Sequence, residues 1–197
     1  MWDKGRRHHE STRNLFSRLN SLTDNALMLK VKSGDLDKMA LLFQRYHRPL
    51  YGFLFHMTGQ KEASEDMVQN VFYRMLRSRH TFTGLGEFRT WMYHLARNVL
   101  KDHLKRAGRY RPMPEWEDRI AGDDLVEEQL ERKQELEMLQ LKIESLSPES
   151  REVLVLSRYQ DLKYAEIAGV LDISVAAVKL RIHRAIRQLR MLYLQTE

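Results

Sequence analysis

Apolar residues recur at three- and four-residue intervals along most of this chain, and alternating β-branched runs are few. That period puts them on one face of a helix, so the pattern predicts an all-α protein. Ala63, Met67, Val68, Val71, Phe72, Met75 and Leu76 trace one stripe, in a helix predicted over about 62–79. Phe88, Trp91, Leu95, Val99 and Leu100 trace a second, over about 87–106, with Trp91 read as core rather than as a stacking platform. Earlier helices are predicted over about 24–33, ended by Gly34, and from about 37 to 52, with continuation towards Met57; Pro49 marks a start or a kink. Further on, a helix is predicted from about 125 to 146, with Leu136, Leu139, Ile143 and Leu146 docking on the C-terminal hairpin, and another over about 148–159. That hairpin is formed by the last two helices around the turn Asp172-Ile173-Ser174. In the second of them Val175, Val178, Ile182, Ala185, Ile186 and Leu189 share the buried face. Ser147 before Pro148 and Ser174 in the turn are read as helix caps, and Asp172 as a residue tolerant of left-handed backbone.

Charge divides the chain. Residues 1–107 hold 19 basic and 10 acidic side chains, 108–147 hold 6 and 11, and 148–197 hold 8 and 6. Two basic segments joined by an acidic one point to two polyanion-binding modules and a connector that does not touch phosphate. Pro112 and Pro114 open that connector after a basic helix end. The predicted architecture is therefore two small helical domains joined by a flexible acidic linker: a basic extension over 1–21, a first domain over 22–107, the linker over 108–129 and a second domain over 130–197.

The absence of cysteine excludes disulfides, thiol catalysis and the usual structural zinc sites, and fits a reducing cytoplasm. The eight histidines are scattered, and the one adjacent pair, His8-His9, lies in the polar extension, so no metal or cofactor is called for. No apolar run approaches the ~20 residues needed to span a bilayer, and no signal core is seen, so the expectation is a cytoplasmic chain without membrane insertion. No phosphate-binding loop or nucleophile constellation appears, which disfavours an enzyme.

The chemistry lies on basic faces. From Ser174 to Arg190 there are five Lys or Arg and no Asp or Glu, so the hairpin's second helix presents a single sign of charge, suited to a DNA major groove. The loop Thr81-Phe82-Thr83-Gly84-Leu85-Gly86 combines permissive glycines with an aromatic residue able to meet a base. Beside it, Asn98, Lys101, Asp102, Lys105 and Arg106 form a polar, mainly basic surface suited to phosphates. A conventional DNA-binding regulator with an unrelated N-terminal domain would also carry such a hairpin; it would bind duplex DNA unaided.

Three motifs in register resemble those of bacterial extracytoplasmic-function (ECF, group 4) sigma factors. The stretch from Ala63 to Phe72, with Asp66, Gln69 and Phe72, is similar to the D-x-x-Q-x-x-F signature of region 2.2. Phe88-Arg89-Thr90-Trp91 through Ala96-Arg97-Asn98 to Asp102 resembles F-R-x-W-L-x-x-I-A-R-N-x-x-x-D of regions 2.3 and 2.4, and Leu146 through Arg190, including Tyr164 to Ala168, resembles region 4. The resemblance spans about Leu22 to Leu192. It implies promoter-specific initiation with core RNA polymerase, promoter DNA and an anti-sigma factor as partners, and no chemistry by the chain itself. It places polymerase binding on Asp66, Gln69, Asn70, Phe72 and Arg74. Minus-10 recognition and melting fall to Thr81, Phe82, Thr83, Gly84, Leu85, Gly86, Glu87, Asn98, Lys101, Lys105 and Arg106. Minus-35 recognition falls to Lys179, Leu180, Arg181, His183, Arg184 and Arg187. Where the family commonly has T-V-K-S-R, this chain has Ala177-Val178-Lys179-Leu180-Arg181. Two hydroxyls become apolar, which implies an altered minus-35 preference, with Leu180 placed to pack on a thymine methyl.

Overall fold

The computed structural model describes residues 22–107 and 138–194, and every regular element among them is helical. The first unit comprises α1 (Asp24–Lys32), α2 (Lys38–Thr58), α3 (Lys61–Arg77), a 3₁₀ turn (Arg79–Thr81) and α4 (Phe88–Ala107). The second comprises a helical segment, 138–144 (α5), then α6 (Pro148–Arg158), α7 (Tyr164–Leu171) and α8 (Val175–Leu194). The extension, the whole of the linker, His8, His9 and Leu136 lie outside the described residues.

Local chemistry sets the helix ends. Thr23 accepts the Ala26 amide at the start of α1, and Ser147 accepts the Ser150 amide with Pro148 in the first turn of α6. Ser174 accepts the Ala177 amide at 3.1 Å, as the turn pattern predicted, and Asp172 adopts φ 55°, the left-handed backbone expected of it. Each such cap satisfies donors that the first turn leaves unpaired, worth about 1 kcal/mol.

Pro49 neither starts nor ends a helix: it lies inside the 21-residue α2, which continues beyond Gly52 to Thr58, the continuation towards Met57 that the sequence suggested. A proline in a helix interior removes one hydrogen bond and costs about 3 kcal/mol. Leu42, Leu50, Phe53 and Leu54 are all fully buried around it, and each contributes about 1.5–3 kcal/mol, so packing outweighs propensity.

Phe53, Leu54, Met75, Phe88, Met92 and Tyr93 dominate the core of the first unit; Ile143, Leu146, Leu156, Ile167 and Val178 dominate that of the second. These are not separate interiors. α2 packs against α6 and α4 against α7, so the buried residues of both units form one continuous cluster. The approach of α4 and α7 is close enough that a Cβ on Gly169 would stand 2.9 Å from Thr90 Cγ2. On the α2 side, Arg151 donates to the Met57 carbonyl at 3.0 Å, and His56 lies against Tyr159 with ring centroids 4.1 Å apart. His56 Nδ1 stands 2.5 Å from Gln140 Oε1. Burial pushes the His56 imidazole below its ordinary pKa, opposed by its hydrogen bond to Gln140 and the nearby Glu144 carboxylate.

Candidate nucleic-acid interface

α3 turns Met67, Val68, Val71 and Met75 inward and leaves Asp66, Gln69 and Asn70 exposed on one side. Phe72 is not on that surface. It is 6 % exposed and tilts against Phe43 at 4.9 Å, so it supports the helix from below. Arg74 is engaged too: its guanidinium donates to Asn70 at 2.9 Å and to Asp102 of α4 at 2.8 Å. The Arg74 hydrogen bond holds the Asp102 carboxyl below its usual range. Arg74 thus braces α3 against α4. Tyr73, 62 % exposed, stands three and four residues from Asn70 and Gln69 on the same face. Its spacing of seven, four and three residues from Asp66, Gln69 and Asn70 already puts it on this face, but an aromatic residue in an amphipathic helix reads first as core.

The loop 81–87 is held at both ends and free at its tip. Phe82 is 3 % exposed, packed between Phe88 and Trp91, so it anchors the loop and cannot meet a base in this form. Lys32 donates to the Phe82 carbonyl at 2.7 Å, and Trp91 Nε1 donates to Thr81 Oγ1 at 3.4 Å. Trp91 is half-buried against the core, consistent with its reading as a packing residue. At the far end Asn25 donates to the Gly86 carbonyl and accepts the Phe88 amide at 2.7 Å. A side chain of α1 therefore caps α4 from 63 residues away, which no local motif announces. Gly84 has φ 76°, and a Cβ there would approach Leu29 at 3.2 Å, so both backbone and space require glycine. Leu85 at the tip is 94 % exposed, and Thr81, Thr83, Gly86 and Glu87 are exposed around it. On α4, Asn98, Lys101, Lys105 and Arg106 are all exposed, with 98, 101 and 105 in one row. The loop precedes the first turn of α4 and the row lies on its second half, so about 15 Å of helix separates Phe88 from Asn98.

α8 buries Val178, Ile182 and Ala185 and exposes Lys179, Leu180, His183, Arg184 and Arg187. Leu180, His183, Arg184 and Arg187 follow the three- and four-residue spacing of one stripe. Arg181 departs from it. It is half-buried and faces Glu149 of α6 at 3.5 Å, so it stabilises the hairpin from the side. Leu180 is 50 % exposed, an apolar residue at the N-terminal end of a basic stripe.

Residues 42–110 match Sigma-70 region 2, and residues 136–189 match Sigma-70 region 4. Over 174 residues the chain is 32 % identical to the ECF RNA polymerase sigma-E factor of Escherichia coli, covering 83 % of this chain and 91 % of that protein. It is 30 % identical over 156 residues to SigX of Bacillus subtilis, covering 76 % and 80 %, and 32 % identical over 152 residues to SigE of Mycolicibacterium smegmatis. The last match covers 76 % of this chain and spans 59 % of that longer relative. Among solved structures, CnrH in complex with the cytosolic domain of CnrY is similar in fold, with a TM-score of 0.71 over 88 % of this chain and 99 % of that one at 24 % identity. The sigma factor RpoE bound to the anti-sigma factor NepR from Bartonella quintana gives a TM-score of 0.64 over 78 % of this chain and 95 % of that one, at 17 % identity. With regions 2 and 4 present in order on one helical scaffold, the chain belongs to the ECF RNA polymerase sigma factors.

Proposed function

We propose that this chain binds core RNA polymerase and directs it to promoters with two separated elements. The exposed side of α3, with Asp66, Gln69, Asn70 and the added Tyr73, meets polymerase. The Leu85 loop and the row from Asn98 to Arg106 hold the opened minus-10 element: extruding a base costs a few kcal/mol, which apolar contact at Leu85 and phosphate contacts at Lys101, Lys105 and Arg106 offset. α8 enters the minus-35 major groove, with Lys179, His183, Arg184 and Arg187 reaching phosphates and base edges and Leu180 lying against a thymine methyl. The observation that carries this reading is the single-signed stripe on α8: none of its exposed cations bonds a described residue, whereas the half-buried Arg181 beside it does.

No helix among the described residues is long and apolar enough to cross a membrane, in keeping with work at polymerase in the cytoplasm. An anti-sigma partner, as NepR is for the Bartonella factor, is part of the same proposal.

Two binding measurements test it. Purified chain should co-elute with core polymerase, and should protect promoter DNA only in its company. A chain that ignores polymerase but protects a discrete duplex site alone would instead be a conventional regulator.

A further inference from the structure

One face of α1 runs along the loop before α4 and touches it once per turn. Asn25 Nδ2 donates to the Gly86 carbonyl at 2.9 Å while its Oδ1 accepts the Phe88 amide at 2.7 Å. A turn further on, Leu29 lies where a Cβ on Gly84 would come within 3.2 Å of it. At the end of the helix, Lys32 Nζ donates to the Phe82 carbonyl at 2.7 Å. Positions 25, 29 and 32 share a helix face. The loop residues they meet, Gly86, Gly84 and Phe82, run in the opposite direction and fall on alternate positions. Thr83, Leu85 and Glu87, which alternate with them, are all exposed.

α1 is firmly seated. On a neighbouring face Leu27, Met28 and Val31 are fully buried. Its first turn is tied to α2 through Asp24, whose carboxylate accepts from Arg45 Nη1 at 2.6 Å and from the Tyr46 hydroxyl at 2.5 Å. Arg45 also donates to the Leu22 carbonyl at 3.0 Å, just ahead of the helix. The loop, by contrast, carries glycine at 84, with φ 76°, and again at 86, so its own backbone is permissive and its path is set by what it lies against.

Building on the minus-10 role proposed for this loop, we propose that α1 is the template for base choice there: Asn25, Leu29 and Lys32 fix the register of the loop, so that Thr83, Leu85 and Glu87 meet the extruded base. The three are positioning residues, acting on DNA through the loop. An untemplated loop with two glycines samples several registers, and ordering it on DNA would offset its contacts with the base. A preformed register leaves those contacts for discrimination.

Asn25→Asp separates this role from plain stability. It keeps an oxygen to accept the Phe88 amide, and so the cap on α4, but replaces the donor to the Gly86 carbonyl by a second acceptor. Lys32→Met keeps the aliphatic stem and removes the ammonium that holds the Phe82 carbonyl. Holoenzyme carrying both changes should discriminate about fivefold less, or worse, between mapped promoters that differ in one minus-10 base. Its thermal midpoint and its affinity for core polymerase should stay those of the parent. Leu85→Ala is measured beside it. Discrimination unchanged in the pair but lost in Leu85→Ala would overturn the template and leave the minus-10 role standing; discrimination unchanged in both would remove that role and the template with it. Should the pair fold poorly, Lys32→Met against Lys32→Arg decides: the first should lose discrimination, and the second, which keeps a donor, should retain it. Equal discrimination in those two would again overturn the template.

Discussion

α4 and α8 are both 20-residue helices with basic surfaces, yet they distribute their charge differently. α8 keeps Lys179, Arg184 and Arg187 exposed and uses Arg181 for an ion pair within its own unit. α4 divides its cations between two sides: Arg89 and Arg97 face region 4, whereas Lys101, Lys105 and Arg106 face solvent. A recognition helix needs one unobstructed face. On the proposed function α4 also meets DNA, so it needs two faces, and its arginines serve in the contact with region 4 because a planar guanidinium satisfies a carboxylate and a carbonyl together.

The sharpest way to break the α4 side is to remove its support. Phe88 is 1 % exposed among Tyr46, Phe82 and Trp91, so Phe88→Ala should destabilise the fold by about 3–5 kcal/mol in denaturant unfolding, with the Leu85 loop loosened alongside. Arg97→Ala comes next. It leaves Glu152, whose side chain is 14 % exposed, and the Val170 carbonyl without their donor, a cost of about 1–3 kcal/mol that thermal unfolding reads. On α8 the same kind of change should leave stability alone: Arg184→Ala stays within about 0.5 kcal/mol in unfolding, while Leu180→Ser shifts the preferred minus-35 base by about 1 kcal/mol or more in competition binding.

The smallest effect is a pH dependence confined to the inter-unit contact. His56 has its pKa lowered by burial against Tyr159, despite Gln140 and Glu144, so the packed form prefers the neutral ring. A depressed folded-state value means that this contribution is whole above the ordinary pKa of ~6.5 and is lost as pH falls below it. The unfolding midpoint should therefore drop between pH 7.5 and 5.5 by more in the parent than in His56→Gln.

The helices were legible because period, caps and turn residues all agreed: the Met67-to-Met75 stripe, Ser147-Pro148, and Asp172 with Ser174 each specify their element locally. The exposed stripe on α8 came from the same period. What escaped was non-local. Pro49 was overridden by packing on both of its sides, and Phe82, Arg74 and Arg181 were claimed by neighbours distant in sequence or in adjoining elements. Asn25 caps a helix from far upstream, and Gly169 is needed only because Thr90 of the other unit stands beside it. Charge segmentation correctly separated two basic units but carried no sign that their interiors would join, since the joining residues, Arg97, Glu152 and Gln160, are individually ordinary surface types.

Start-site mapping of transcription by core RNA polymerase on a pool of bacterial genomic fragments, with and without this protein, tests the central claim most directly. The account predicts new starts that share a two-part upstream motif and that disappear when the basic stripe on α8 is neutralised. New starts without a shared motif, or none at all while the protein alone protects duplex DNA, would contradict it.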